Sequence, residues 1–227
     1  MGTSNSGTAT LTTNALAVNL AAVSGGTAGY SVTNPGTATT LTGSALADTL
    51  SGGSGNDTLA GGLGNDSLSG GLGNDSIIGN DVANELSGGL GRDTIIGGDG
   101  DDTLLGGTDN DSLLGSNGTD LASYASATSA ITVDLGAGSS AGALGNDTLS
   151  SIENILGGSG NDSIIGNDVA NANYILVALS GAGINLIAML ATIFFLKESL
   201  PVEDRRPFGS VLNLFEKGTF SETVLAL

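Results

Sequence analysis

The sequence predicts an all-β chain, a parallel β-roll, followed by a C-terminal hydrophobic α-helix. Three observations carry this expectation. A nine-residue unit recurs in frame from Gly52 onward. A large aliphatic residue fills the eighth place of successive units, which marks one buried position per unit. Tyr174 to Leu196 then runs for 23 residues without a charged side chain.

Composition narrows the function classes first. The chain has 227 residues, 39 of them glycine, with no cysteine, histidine or tryptophan. Disulfides, thiolate or imidazole zinc sites and Ser-His-Asp or Cys-His catalysis are excluded. The net charge is -18, from 23 acids against 5 bases. Nucleic acid is excluded as a partner, because phosphate binding needs Lys and Arg. A cation is the natural partner. The charge is also uneven: residues 1–47 carry none, while 48–171 carry 18 acids and the single base Arg92.

These regimes divide the chain. Residues 1–42 are rich in Thr, Ala and Gly, and Leu11, Leu16, Val18, Leu20 and Val23 suggest short strands capping the roll. No basic n-region with an apolar stretch marks a signal peptide near Met1, although Gly2 to Ser6 loosely fits a myristoylation pattern. Residues 43–123 are the roll itself. Residues 124–141 lose the frame, and the alternation of Ile131, Val133 and Leu135 predicts an inserted half-buried strand. Residues 142–173 form a second, truncated repeat block, which closes where Asn173 takes the inward place of an aliphatic. Residues 174–227 are the hydrophobic helix and tail.

Within the roll, three units in succession read Gly52-Gly53-Ser54-Gly55-Asn56-Asp57-Thr58-Leu59-Ala60, Gly61-Gly62-Leu63-Gly64-Asn65-Asp66-Ser67-Leu68-Ser69 and Gly70-Gly71-Leu72-Gly73-Asn74-Asp75-Ser76-Ile77-Ile78. Six places make a turn and three a short strand. Glycines at places one, two and four permit positive φ and close stacking of backbones. The inward ladder is Leu50, Leu59, Leu68, Ile77, Leu86, Ile95, Leu104 and Leu113, fading at Ala122. A disordered Gly/Asp linker would need neither the fixed period nor this ladder. Ordinary hairpins would not need an aspartate every nine residues.

The aspartate at place six supplies a hard oxygen, and turn carbonyls supply more. Calcium takes six to eight such oxygens and suits the set better than magnesium. The expected ligands are Asp48, Asp57, Asp66, Asp75, Asp93, Asp102, Asp111, Asp120, Asp147 and Asp162. Backbone carbonyls are expected from the turns at Gly53, Gly55, Gly62, Gly64, Gly71, Gly73, Gly89, Gly91, Gly98 and Gly100. Two units make one coil, so Asp57, Asp75, Asp93 and Asp111 line one edge. Asp48, Asp66, Asn84, Asp102 and Asp120 line the other. Asn84 is a weaker ligand, so fuller calcium occupancy is expected on the first edge. Asp109 replaces a place-four glycine, and a distorted loop is expected there.

The unit Gly-Gly-x-Gly-x-Asp-x-aliphatic-x is a signature of calcium-binding parallel β-helices. On these repeats the chain resembles the RTX (repeats-in-toxin), or haemolysin-type calcium-binding, family over 43–123 and 142–172. The resemblance implies several bound Ca2+ ions, and export by a type I machinery that reads a C-terminal signal. Ser221 to Leu227, an acid followed by apolar residues, faintly matches such a signal. The leading expectation is a non-enzymatic calcium-binding protein, extracellular or at the cell surface. No acid/base pair stands apart from the metal carboxylates. Residues 174–196 are long enough to span a bilayer, and Lys197, Arg205 and Arg206 would then face the cytoplasm. Residues 174–205 resemble part of a major facilitator superfamily transporter. The alternatives are therefore a membrane-anchored or transporter-derived fusion carrying the repeats, or the accessory module of a secreted enzyme.

Overall fold

The computed structural model describes residues 8–166. The expected helix, the tail, the Asn173 slot and the pattern at Gly2 lie outside the described residues. In chain order the strands are β1 (Ala9–Thr12), β2 (Val18–Asn19), β3 (Tyr30–Thr33), β4 (Thr40–Thr42), β5 (Thr49–Ser54) and β6 (Thr58–Gly62). There follow β7 (Ser67–Leu72), β8 (Ser76–Asn80), β9 (Glu85–Leu90), β10 (Thr94–Asp99), β11 (Thr103–Thr108) and β12 (Ser112–Asn117). The last are β13 (Leu121–Ser123), β14 (Ile131–Asp134), β15 (Ser139–Gly142), β16 (Thr148–Ser150), β17 (Asn154–Leu156) and β18 (Ser163–Ile165).

The chain winds as an all-β parallel solenoid of about six turns. One sheet runs β1-β3-β5-β7-β9-β11-β13-β17, and the other runs β18-β14-β15-β16-β12-β10-β8-β6-β4-β2. Each unit thus places its strand in the opposite sheet from the one before. The register advances by two units: Leu50 faces Leu68, Leu68 faces Leu86, and Ile77 faces Ile95. Parallel in-register pairing puts like residues above one another, so one aliphatic per unit is enough to build a continuous core.

Every member of the predicted ladder is buried, from Leu50 to Leu113 and on to Ala122. Val32 and Leu41 extend the ladder toward the N-terminus, and Leu149 and Ile155 extend it toward the C-terminus. In residues 1–42 short strands do form, at β1 and β2, and Val18 and Leu20 pack partly buried against the core. Leu11 and Leu16 are exposed, and Val32 and Leu41 do the packing. Val32 pairs in register with Leu50, and Leu41 with Leu59. No described strand covers β1 on its outer side, which leaves its side chains in water. Because each ladder residue touches its equivalents above and below, truncation opens a cavity that neighbours cannot fill. Ile95→Ala is expected to destabilise the calcium-loaded roll by about 2–5 kcal/mol, read from denaturant unfolding.

The insertion does not end the roll. β14 and β15 form an antiparallel pair, Ile131 opposite Gly142 and Val133 opposite Ser140. Ile131 and Val133 point into the core. β16 pairs with β12 in parallel, Leu113 facing Leu149, and β17 pairs with β13, Ala122 facing Ile155. The second repeat block therefore continues the same two sheets, because the open edges of β12 and β13 offer unpaired backbone groups. Among the described residues no helix is long and apolar enough to cross a membrane.

Candidate metal centre

The aspartates at place six stack as two files, as their spacing predicts. In each, Oδ1 accepts the backbone N–H of the matching residue one coil earlier. Asp57, Asp75 and Asp93 donate in this way to Asp75, Asp93 and Asp111 at 2.7–2.8 Å. On the other edge Asp48 donates to Asp66, and Asp102 to Asp120, at 2.7 and 2.9 Å. This bond holds each carboxylate against the turn above it. It also leaves Oδ2 as the free oxygen.

That second oxygen is where the files become chemically informative. Oδ2 of Asp57, Asp66, Asp75, Asp93, Asp102, Asp111, Asp120 and Asp162 is buried without any hydrogen-bond partner. Buried polar atoms are normally satisfied, and an unpaired buried carboxylate oxygen is especially unfavourable. A cation meets the need. The oxygens also sit in close-fitting cradles. A Cβ at Gly70 would lie 2.1 Å from Asp75 Oδ2, and one at Gly88 2.2 Å from Asp93 Oδ2. The place-one glycine is thus required by the carboxylate that rests over it.

The turn glycines complete the surroundings. Gly53, Gly55, Gly62, Gly64, Gly71, Gly73, Gly89, Gly91, Gly98 and Gly100 all take φ between 94° and 122°. Their Cα atoms stack closely on the coil before: a Cβ on Gly71 would lie 2.2 Å from the Gly53 carbonyl oxygen. Turn carbonyls and carboxylates are thus gathered along the same edges. Among the described residues no three His, Cys, Asp or Glu side chains converge on one point. A metal here must draw much of its coordination from the backbone, which suits calcium. Asp109 adopts φ 78°, the left-handed conformation of the glycine it replaces. Register is kept on both sides of this loop, in β11 and β12. Aspartate tolerates this region better than most side chains.

Electrostatics agree with the geometry. Burial pushes the Asp66 and Asp111 carboxyls up to about 7, and those of Asp93 and Asp102 up to about 6. Asp57, Asp75 and Asp120 are raised for the same reason. The backbone N–H bonds offset part of the rise, and neighbouring carboxylates add to it, as Asp147 and Asp93 do at Asp111. The metal-free files are therefore poorly disposed to carry their charge.

Three features were not foreseen from the sequence. Asn84 accepts from the Asp66 N–H like its neighbours, but its Nδ2 donates to the Val82 carbonyl. A donor group thus stands where the aspartates leave a free oxygen. Glu153 continues the second file, its Oε2 accepting from the Asp120 N–H at 2.8 Å. It escaped notice because the frame shifts between Asp120 and Glu153. Finally, Asp48 and Asp147 have no free Oδ2. Ser44 bonds the first, and Tyr124 and Ser140 bond the second. Asp162 keeps its free Oδ2, and its Oδ1 accepts from the Ile131 N–H, in the inserted strand, at 3.1 Å.

Two glycine-cradled files of carboxylates on a parallel roll define a calcium-binding solenoid. The family model of the RTX calcium-binding nonapeptide repeat matches four copies, at residues 42–77, 78–113, 87–122 and 150–168. The chain carries RTX repeats there, and RTX nonapeptide repeats bind calcium ions. They are structural repeats, not catalytic ones. No curated protein matches the chain. The transporter resemblance of 174–205 finds no support in these comparisons.

Proposed function

We propose that this chain is a non-enzymatic calcium-binding protein, secreted or displayed at the cell surface, whose roll folds when calcium binds. The observation that carries the reading is the set of eight buried carboxylate oxygens without partners. Without a cation those groups repel and stay desolvated, and a core one aliphatic wide offsets little chain entropy. Metal-binding free energy then becomes folding free energy. Scarce cytosolic calcium keeps the chain open, and external calcium near ~1 mM matches the ~10⁻⁴–10⁻³ M affinity of extracellular modules.

Circular dichroism of the full chain during calcium titration tests this. The β signal is expected to rise with a midpoint of ~10⁻⁴–10⁻³ M. Asp75→Ala and Asp93→Ala, inside the unbroken file, are expected to shift the midpoint more than Asp102→Ala beside Asn84. Equal β signal in chelator and in millimolar calcium would refute coupled folding. A membrane-attached protein is the second reading, favoured by the uncharged stretch at 174–196. Recovery in alkali-washed membranes supports it, and recovery from the medium supports secretion.

A further inference from the structure

The two files differ at their ends. Asp147 continues the first file in position, since its Oδ1 accepts the Asp111 N–H at 2.9 Å. Sequence spacing therefore placed it among the metal ligands. Its Oδ2, however, accepts two hydroxyl bonds, from Tyr124 at 2.8 Å and Ser140 at 2.9 Å. Ser140 Oγ in turn accepts the Asp147 N–H at 3.1 Å. All three residues are buried. The N-terminal end of the second file is closed in the same way. Asp48 Oδ2 accepts from both the backbone N–H and the hydroxyl of Ser44, at 2.5 and 2.9 Å.

We propose that Asp48 and Asp147 are not calcium ligands, and that Ser44, and Tyr124 with Ser140, close the two files with hydroxyl donors in the place calcium takes along the rest of each file. The proposal rests on the calcium-binding reading above. A carboxylate oxygen carrying two donors is already satisfied and has no need of a cation. Calcium at Asp147 would also have to displace the buried Tyr124 hydroxyl from Oδ2. The closures come from opposite ends of the two files, one N-terminal and one C-terminal, and both use neutral groups. Each end coil has a neighbouring coil of the calcium-binding type on one side only. A donor built into the chain satisfies its carboxylate without a full set of turn carbonyls. The calcium-dependent run is therefore Asp57 to Asp111 on one edge and Asp66 to Asp120 on the other, interrupted at Asn84.

Equilibrium dialysis of the full chain against radioactive calcium at saturation decides the matter. Asp147→Asn and Asp48→Asn are expected to bind as many ions as the unsubstituted chain, while Asp93→Asn binds at least one fewer. Fewer ions bound by either end variant overturns the assignment for that end. A chain that binds no calcium at all refutes the underlying reading instead. If Asp147→Asn does not fold, proton NMR of the calcium-saturated parent chain gives the answer. A slowly exchanging hydroxyl resonance that vanishes in Tyr124→Phe is expected. Absence of that resonance from the calcium-saturated parent chain overturns the proposal.

Discussion

Gly89→Val is expected to leave the chain without its β signal even at saturating calcium. Gly89 has φ 116°, and a Cβ there would lie 2.1 Å from the Gly71 carbonyl oxygen and 2.9 Å from its carbon. The obstacle is backbone, which cannot rotate away as a side chain can. The strained dihedral alone costs about 1–3 kcal/mol. The clash adds to that, and the coil can escape it only by separating from the one below. Separation breaks the register of β7 with β9, where Gly71 faces Gly89 and Leu72 faces Leu90. It also moves turn carbonyls away from the file of Asp75 and Asp93. Folding and metal binding are therefore lost together. Leu90→Ser is the control: the side chain next to Gly89 is half exposed, and its replacement is expected to change the calcium midpoint little. Circular dichroism with and without calcium compares the two. A Gly89→Val chain that folds with the parent's calcium midpoint would show that the coils do not stack as described.

In chelator, the β signal is expected to be greater near pH 4.5 than at pH 7.5. Asp66 and Asp111 titrate near about 7 in the roll, and Asp93 and Asp102 near about 6, each above the ordinary carboxylate value. The folded form thus holds protons that the unfolded chain has already released. Stability from these groups is fully present below the unfolded value near ~3.9 and is lost as pH rises through the folded values. Protons at acid pH do in part what calcium does at neutral pH, which is to remove the buried, unpaired charge. Circular dichroism in chelator at several pH values reads this effect. A metal-free β signal that grows with pH across this range would overturn the argument.

Much of this was legible because the repeat is local. Leu59, Leu68 and Ile77 stand nine residues apart with Asp57, Asp66 and Asp75 two places before them, and a single turn-and-strand unit explains both spacings. Asn84 was visible as the weak point of its file for the same reason. What the structure adds there is that its amide turns a donor toward Val82. In residues 1–42, which lack the Gly-Gly-x-Gly-x-Asp frame, the sequence did not single out the ladder positions: Val18 and Leu20 pack partly against the core while Leu11 and Leu16 are exposed, and only the register of β3 on β5 and β4 on β6 selects Val32 and Leu41.

The sequence by itself determined the coil period, the aliphatic ladder and the two aspartate files, because parallel in-register stacking copies a nine-residue pattern directly into space. Only the tertiary structure decided where the files stop. Asp111 meets Asp147 across 36 residues, over an insertion that breaks the repeat, and the Tyr124 hydroxyl reaches Asp147 across 23, a separation that the nine-residue frame does not encode. Whether a carboxylate oxygen is left for a cation depends on which donors long-range strand pairing brings within hydrogen-bond distance. That is a property of the assembled coils.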